Sequence, residues 1–92
     1  MKVTWSDAAE SDLASVLLYI AADDKTAAFK LVDKLEAAGS RLADFPMRGR
    51  VGRSPGTREL AVPRTKYILI YQISDDGVEI LRAMHGAQDW PP

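Results

Sequence analysis

The sequence predicts a single α+β domain of order β-α-α-β-β-β, in which a helical hairpin covers one face of a twisted, mainly antiparallel sheet. Three observations predict it. An apolar stripe of helical spacing runs from Ala28 to Phe45, and a β-prone run from Tyr67 to Ile73 is joined to another by Asp76-Gly77. The 92 residues leave room for one core only.

At the N-terminus Val3 and Trp5 alternate with Lys2 and Thr4, the two-residue period of a short strand. The pattern changes at Ser6. Ser6 or Asp7 can cap a helix, Glu10 adds negative charge to its first turn, and Leu13, Val16, Leu17 and Ile20 recur at helical spacing, which gives a first helix over 7–22. Asp23-Asp24-Lys25-Thr26 is a polar break, so short that the next helix must fold back antiparallel.

In that second helix Ala28, Leu31, Leu35, Ala38, Leu42 and Phe45 follow at intervals of three and four. The stripe packs on the first helix and the sheet; a dimerising coiled coil needs more sustained heptads. Gly39 weakens the pattern locally. Pro46 marks the helix end, because a residue before proline is driven out of the helical region.

Residues 46–57 alternate small, basic and turn-forming residues with neither helical nor strand periodicity and form the one long loop. Gly49, Gly52 and Gly56 permit turns there, since the lysine and helix of a phosphate loop are missing. Strands then follow over 57–62, 67–73 and 78–84, with Pro63 separating the first two, and the tail from His85 to Pro92 closes on two prolines. Residues 1–92 form one domain without internal repeats.

The composition, 47% hydrophobic and 27% charged, is that of an ordinary globular protein. Without cysteine there is no disulfide, thiolate metal site or thiol nucleophile. With neither an apolar leader nor a membrane-length run, a soluble cytoplasmic protein is expected. A single histidine and no nucleotide-binding motif leave no reason to expect a metal or cofactor.

The charge is unevenly distributed. Residues 47–66 carry Arg48, Arg50, Arg53, Arg58, Arg64 and Lys66 against Glu59 alone, six bases less one acid, although the whole chain is at −1. Arginine forks recognise phosphate or carboxylate, and interleaved glycines let a loop approach closely. Arg48, Arg50, Arg53 and Arg58 are therefore the expected target-binding residues, against the alternative of a merely solvated loop. Arg50 and Arg53 lie outside the predicted core, so reversing both to Glu should leave the fold intact.

Arg58, Arg82 and His85 are the candidates for chemistry, two cations on strands and one acid–base group. For the arginines the competing reading is a cross-strand ion pair with Glu59 or Glu79. Tyr67 and Tyr71, four apart on one strand, share a face, where packing competes with base stacking.

Arg48-Gly49-Arg50, Pro55-Gly56-Thr57-Arg58-Glu59-Leu60, Tyr67-Ile68-Leu69-Ile70-Tyr71 and the stretch from Ile80 to Trp90 together resemble the RelE/ParE toxin family. Ala8-Ala9-Glu10-Ser11-Asp12-Leu13 and Leu42-Ala43-Asp44-Phe45-Pro46 extend the likeness over nearly the whole chain. It implies a toxin of a type II toxin–antitoxin system that serves plasmid stabilisation. A cognate antitoxin would wrap over the hairpin and sheet, along a groove of Leu13, Leu17, Leu31 and Leu35. RelE-like members cut messenger RNA on the ribosome without metal, and ParE-like members poison DNA gyrase.

Arg58, Arg82 and His85 would be the catalytic set of a RelE-like member. That pattern, however, has an arginine after the tyrosine corresponding to Tyr67, where this chain has Ile68. Its paired lysines also have no counterpart around Glu59 and Ala61. Two missing cations favour the ParE-like reading, since each would stabilise the cleavage transition state by ~2 kcal/mol or more. A non-toxic interaction module is the third reading.

Overall fold

Residues 1–91 are described by a computed structural model; Pro92, the second closing proline, lies outside the described residues. The elements are β1 (Val3–Trp5), α1 (Asp7–Ala21), α2 (Lys25–Arg41), β2 (Arg50–Val51), β3 (Arg58–Ala61), β4 (Tyr67–Ser74) and β5 (Gly77–His85). They build one five-stranded sheet of order β1-β5-β4-β3-β2. β1 runs parallel to β5, and the other neighbours are antiparallel. The α1–α2 hairpin packs on this sheet, α1 chiefly against β5 and α2 against β4.

Both helices start at side-chain caps. The Ser6 hydroxyl accepts from the Ala9 N–H at 3.1 Å, and Asp24 Oδ1 accepts from the Ala27 N–H at 3.0 Å. Ala28, Leu35, Ala38 and Leu42 of the predicted stripe are buried and Leu31 is half-buried, but Phe45 is exposed. The reason is that α2 stops at Arg41, five residues before Pro46. There the bonds tighten to three-residue spacing, Leu42 to Gly39, Ala43 to Ser40 and Asp44 to Arg41, which turns the chain and swings Phe45 off the stripe. Gly39 has a packing role: a Cβ there would come within 2.6 Å of the Trp5 ring and 2.7 Å of Ile80, so its absence lets α2 approach β1 and β5.

The core joins both helices to one sheet face. Ala9, Leu35, Leu42, Leu69, Tyr71 and Ile80 are wholly buried in it. Along β4 the core residues Tyr67, Leu69, Tyr71 and Ile73 alternate with Ile68 and Ile70, as the strand period requires. On β5 the alternation breaks. Tyr71 pairs with Ile80 but Ile70 pairs with Arg82, so Leu81 is an extra residue, a bulge. The core positions consequently shift from Val78 and Ile80 to Ala83.

The predicted loop 46–57 contains a strand that its sequence does not announce. Arg50 and Val51 pair with Glu59 and Arg58, and Gly52 donates to the Thr57 carbonyl at 2.8 Å, closing a short hairpin. Periodicity cannot reveal a two-residue strand, which is held here by side-chain bonds to Glu59. Of the three glycines expected to permit turns, only Gly56 has a positive φ, 79°.

Candidate functional site

The basic segment is organised around its single acid. The Glu59 side chain, 1% exposed, accepts from Arg50 Nη2 and Arg53 Nη2 at 3.2 Å, and from Arg53 Nε at 3.2 Å and the Arg53 N–H at 2.9 Å. Burial alone would raise its pKa. The side-chain and backbone bonds from Arg53, then the bond from Arg50, outweigh that and hold it at about 2. Two arginines expected to face a target thus also fix the shape of the loop.

Arg58, in turn, does not pair with Glu59. Its Nε donates to the Gly49 carbonyl at 3.0 Å and its Nη2 to the Met47 carbonyl at 3.3 Å. The buried Tyr71 fastens the same segment from the core side. Its hydroxyl donates to the Pro46 carbonyl at 2.7 Å and accepts from the Gly49 N–H at 2.8 Å. A Cβ at position 49 would stand 2.6 Å from that hydroxyl, so glycine is needed for close approach. Held this way, the segment presents Phe45, Met47 and Val51 to solvent at 62, 65 and 78% exposure, with Arg48 between them in sequence. A cavity of about 600 Å³ is lined by Asp44, Phe45, Pro46, Met47 and Arg48.

Arg82 is also committed, but not to Glu79. It forms a two-pronged pair with Asp12 of α1, Nε to Oδ2 at 2.7 Å and Nη2 to Oδ1 at 2.9 Å, and this bond raises its pKa. Asp12 Oδ2 also accepts from the Ala83 N–H at 2.9 Å, while Ser6 donates its hydroxyl to the Leu81 carbonyl at 2.9 Å. The backbone groups freed by the β5 bulge are therefore satisfied from the start of α1, where β1 has ended. Sequence reasoning missed Asp12. Its signal was a charged residue between Ala9 and Val16, at intervals of three and four on the buried helix face.

His85 lies in a different part of the surface. Its ring meets Tyr67 edge-on, with centroids 5.5 Å apart at 78°, and Nδ1 accepts from the Ala87 N–H at 3.1 Å, which leaves Nε2 to meet a ligand. Tyr19, Tyr67 and His85 line two adjoining pockets of about 190 and 320 Å³ between α1 and the sheet. In the β3–β4–β5 register Arg58 stands at the level of Tyr71 and His85 at that of Tyr67. Four residues of strand, roughly 13 Å, separate them. The fold does not gather Arg58, Arg82 and His85 into one constellation. Ile68 and Ala61 instead line a groove of about 400 Å³ with Glu59, Arg48 and Arg50.

The four leucines expected to face a partner do not form an open groove. Leu35 is wholly buried, Leu13 and Leu31 pack against the core, and Leu17 is half-buried. Their spacing served the core. The exposed large apolar side chains of the hairpin are Leu18, Tyr19 and Phe29.

A family model described as "ParE toxin of type II toxin-antitoxin system, parDE" matches residues 3–90. The chain belongs to the ParE toxin family. Among curated proteins it is 41% identical over 90 residues to "Putative toxin Y4kP" of Sinorhizobium fredii, covering 98% of this chain and 93% of that one. "Toxin RelE2" of Caulobacter vibrioides is 31% identical, with coverage of 95% and 97%. A solved chain of the "Chromosomal ParDE TA system from P. aeruginosa" superposes with a TM-score of 0.82 over 92% of this chain and 95% of its own; at 23% identity it shows the shared fold. The ParE-family protein is thus a toxin of a type II toxin–antitoxin system, and its family implies a cognate antitoxin as partner. Among its described residues no helix is long and apolar enough to cross a membrane.

Proposed function

We propose that this ParE-family toxin acts by docking on DNA gyrase through the segment from Phe45 to Arg53, and that it does not cut RNA. The observation that carries this reading is the exposure of Phe45, Met47 and Val51 beside Arg48 and Arg50. Apolar and aromatic anchors with arginines at the rim are the make-up of a protein-binding hot spot. Clamping by Tyr71, Glu59 and Arg58 supports it further, because a pre-shaped loop loses less entropy on binding. Arg50 keeps 73% of its side chain exposed and so serves both the loop and a partner. On this reading the pair works in the cytoplasm and stabilises the plasmid that carries it.

The experiment is induction of the toxin alone, followed by supercoiling assays on purified gyrase. Filamentation with DNA damage and a gyrase inhibited by wild-type protein but not by Arg48→Glu is the expected result. A second reading draws on the naming of the Caulobacter relative as a RelE toxin and on the pocket beside His85. Abrupt loss of translation, with position-specific message cleavage abolished by His85→Ala, would decide for ribosome-dependent endoribonuclease activity and against gyrase.

A further inference from the structure

Arg64 has a positive φ of 62°, alone among the described non-glycine residues. It belongs to the Val62-Pro63-Arg64-Thr65 turn between β3 and β4, closed by the Thr65 N–H and hydroxyl, which donate to the Val62 carbonyl at 3.2 and 2.9 Å. A turn with proline second and a positive φ third ordinarily takes glycine in that third place. Backbone strain kept for the sake of an exposed side chain points to a use for that side chain.

Arg64 lines a pocket of about 180 Å³ with Lys34 and Arg41 of α2, over Ala38, Val62 and Pro63. Lys34, Ala38 and Arg41 share one helix face at intervals of four and three. No acid lines the pocket, and among the described residues none of the three cations forms a salt bridge. Two simpler explanations fall short. The helix dipole accounts for Arg41 in the last turn of α2, but Lys34 lies two turns earlier and Arg64 on another element. Solubility is served by any exposed cation and needs no strained turn.

We propose that Lys34, Arg41 and Arg64 form a socket for an acidic side chain of the cognate antitoxin, whose methylene stem rests on the apolar floor of Ala38, Val62 and Pro63. No aromatic ring lines the pocket for a base to stack on, which disfavours nucleic acid. Its volume is also below the roughly 300 Å³ at which small-molecule sites begin, and suits one side chain. The socket lies between α2 and the turn after β3, and it adjoins the Phe45–Arg53 surface, since the Phe45 N–H donates to the Arg41 carbonyl at 3.1 Å. Lys34 and Arg41 flank the buried Ala38 at the edge of the packed face of α2, and both are exposed, so a partner can reach them.

The proposal rests on the family assignment, which supplies the antitoxin, and is independent of the gyrase reading because affinity is measured with no target present. The test uses the antitoxin that copurifies with tagged toxin from its host, separated and titrated against wild-type toxin, Arg64→Gly and Lys34→Glu/Arg41→Glu at low and high salt. Glycine takes a positive φ without strain, so Arg64→Gly melts no lower than wild type. Its antitoxin affinity falls about tenfold, the double reversal loses more, and the salt dependence flattens in both. Affinities within about twofold of wild type in both variants overturn the socket. So do variants that bind antitoxin normally but no longer arrest growth, since these assign the socket to the target.

Discussion

Asp12 and Arg82, seventy residues apart in the chain, meet in a two-pronged ion pair of 2.7 and 2.9 Å that ties α1 to the bulge of β5. The same carboxylate holds the Ala83 N–H. A residue that looks like a catalytic cation in the sequence is thereby a strut between helix and sheet.

Arg82→Ala should therefore destabilise the protein by about 1–2 kcal/mol, the pair being partly exposed. Asp12→Ala should cost more, because it also strands the Ala83 N–H. Urea unfolding of both single variants and the double variant measures this, with an expected coupling of about 1 kcal/mol. Strictly additive effects would show that the two side chains act apart. Any loss of toxicity in Arg82→Ala should accompany this loss of stability.

Glu59 makes stability depend on acid. Its pKa is lowered from 4.5 to about 2 on folding, so its contribution is fully present above pH 4.5 and is lost as pH falls towards 2. The size of the shift corresponds to roughly 3 kcal/mol. Glu59→Gln should lower Tm at neutral pH, and the gap from wild type should close between pH 4.5 and 2. A gap independent of pH in thermal melts would mean that the carboxylate charge is not what the arginines stabilise.

Reversal of Arg50 and Arg53 together, expected from the sequence to spare the fold, should instead unfold the loop. It would set three carboxylates together where one is now satisfied by four bonds. Circular-dichroism melts should show a Tm fall of about 10 °C or more. Arg48→Glu, which touches none of these bonds, should keep Tm within about 2 °C. A stable double reversal would contradict the central place given to Glu59.

Tyr71→Phe removes one hydroxyl that serves the Pro46 carbonyl and the Gly49 N–H, and should cost about 1–3 kcal/mol because it leaves both without that partner. Amide exchange at Gly49 should accelerate more than the global loss requires. Uniform acceleration across the chain would argue against a local lock.

The sequence by itself determined the order of the elements other than β2, the antiparallel helical hairpin, the Asp76-Gly77 turn between the last two strands and the family. These depend on local periodicity, caps and turn residues, which are written in neighbouring positions. It also located the basic segment, though as one run. Only the tertiary structure decided what each member does: Arg50 and Arg53 meet Glu59, Arg58 clamps carbonyls, and Arg64 turns away towards Lys34 and Arg41. The end of α2 at Arg41, the two-residue β2 and the Leu81 bulge also lie beyond pattern reading. The β2 strand and the bulge depend on pairing between separate segments of the chain, and the bulge shifts by one residue the alternation from which the facing of a β5 side chain is inferred. The roles of Asp12 and Arg82 follow from that shift, because a one-residue slip exposes backbone groups that a side chain from another element must satisfy.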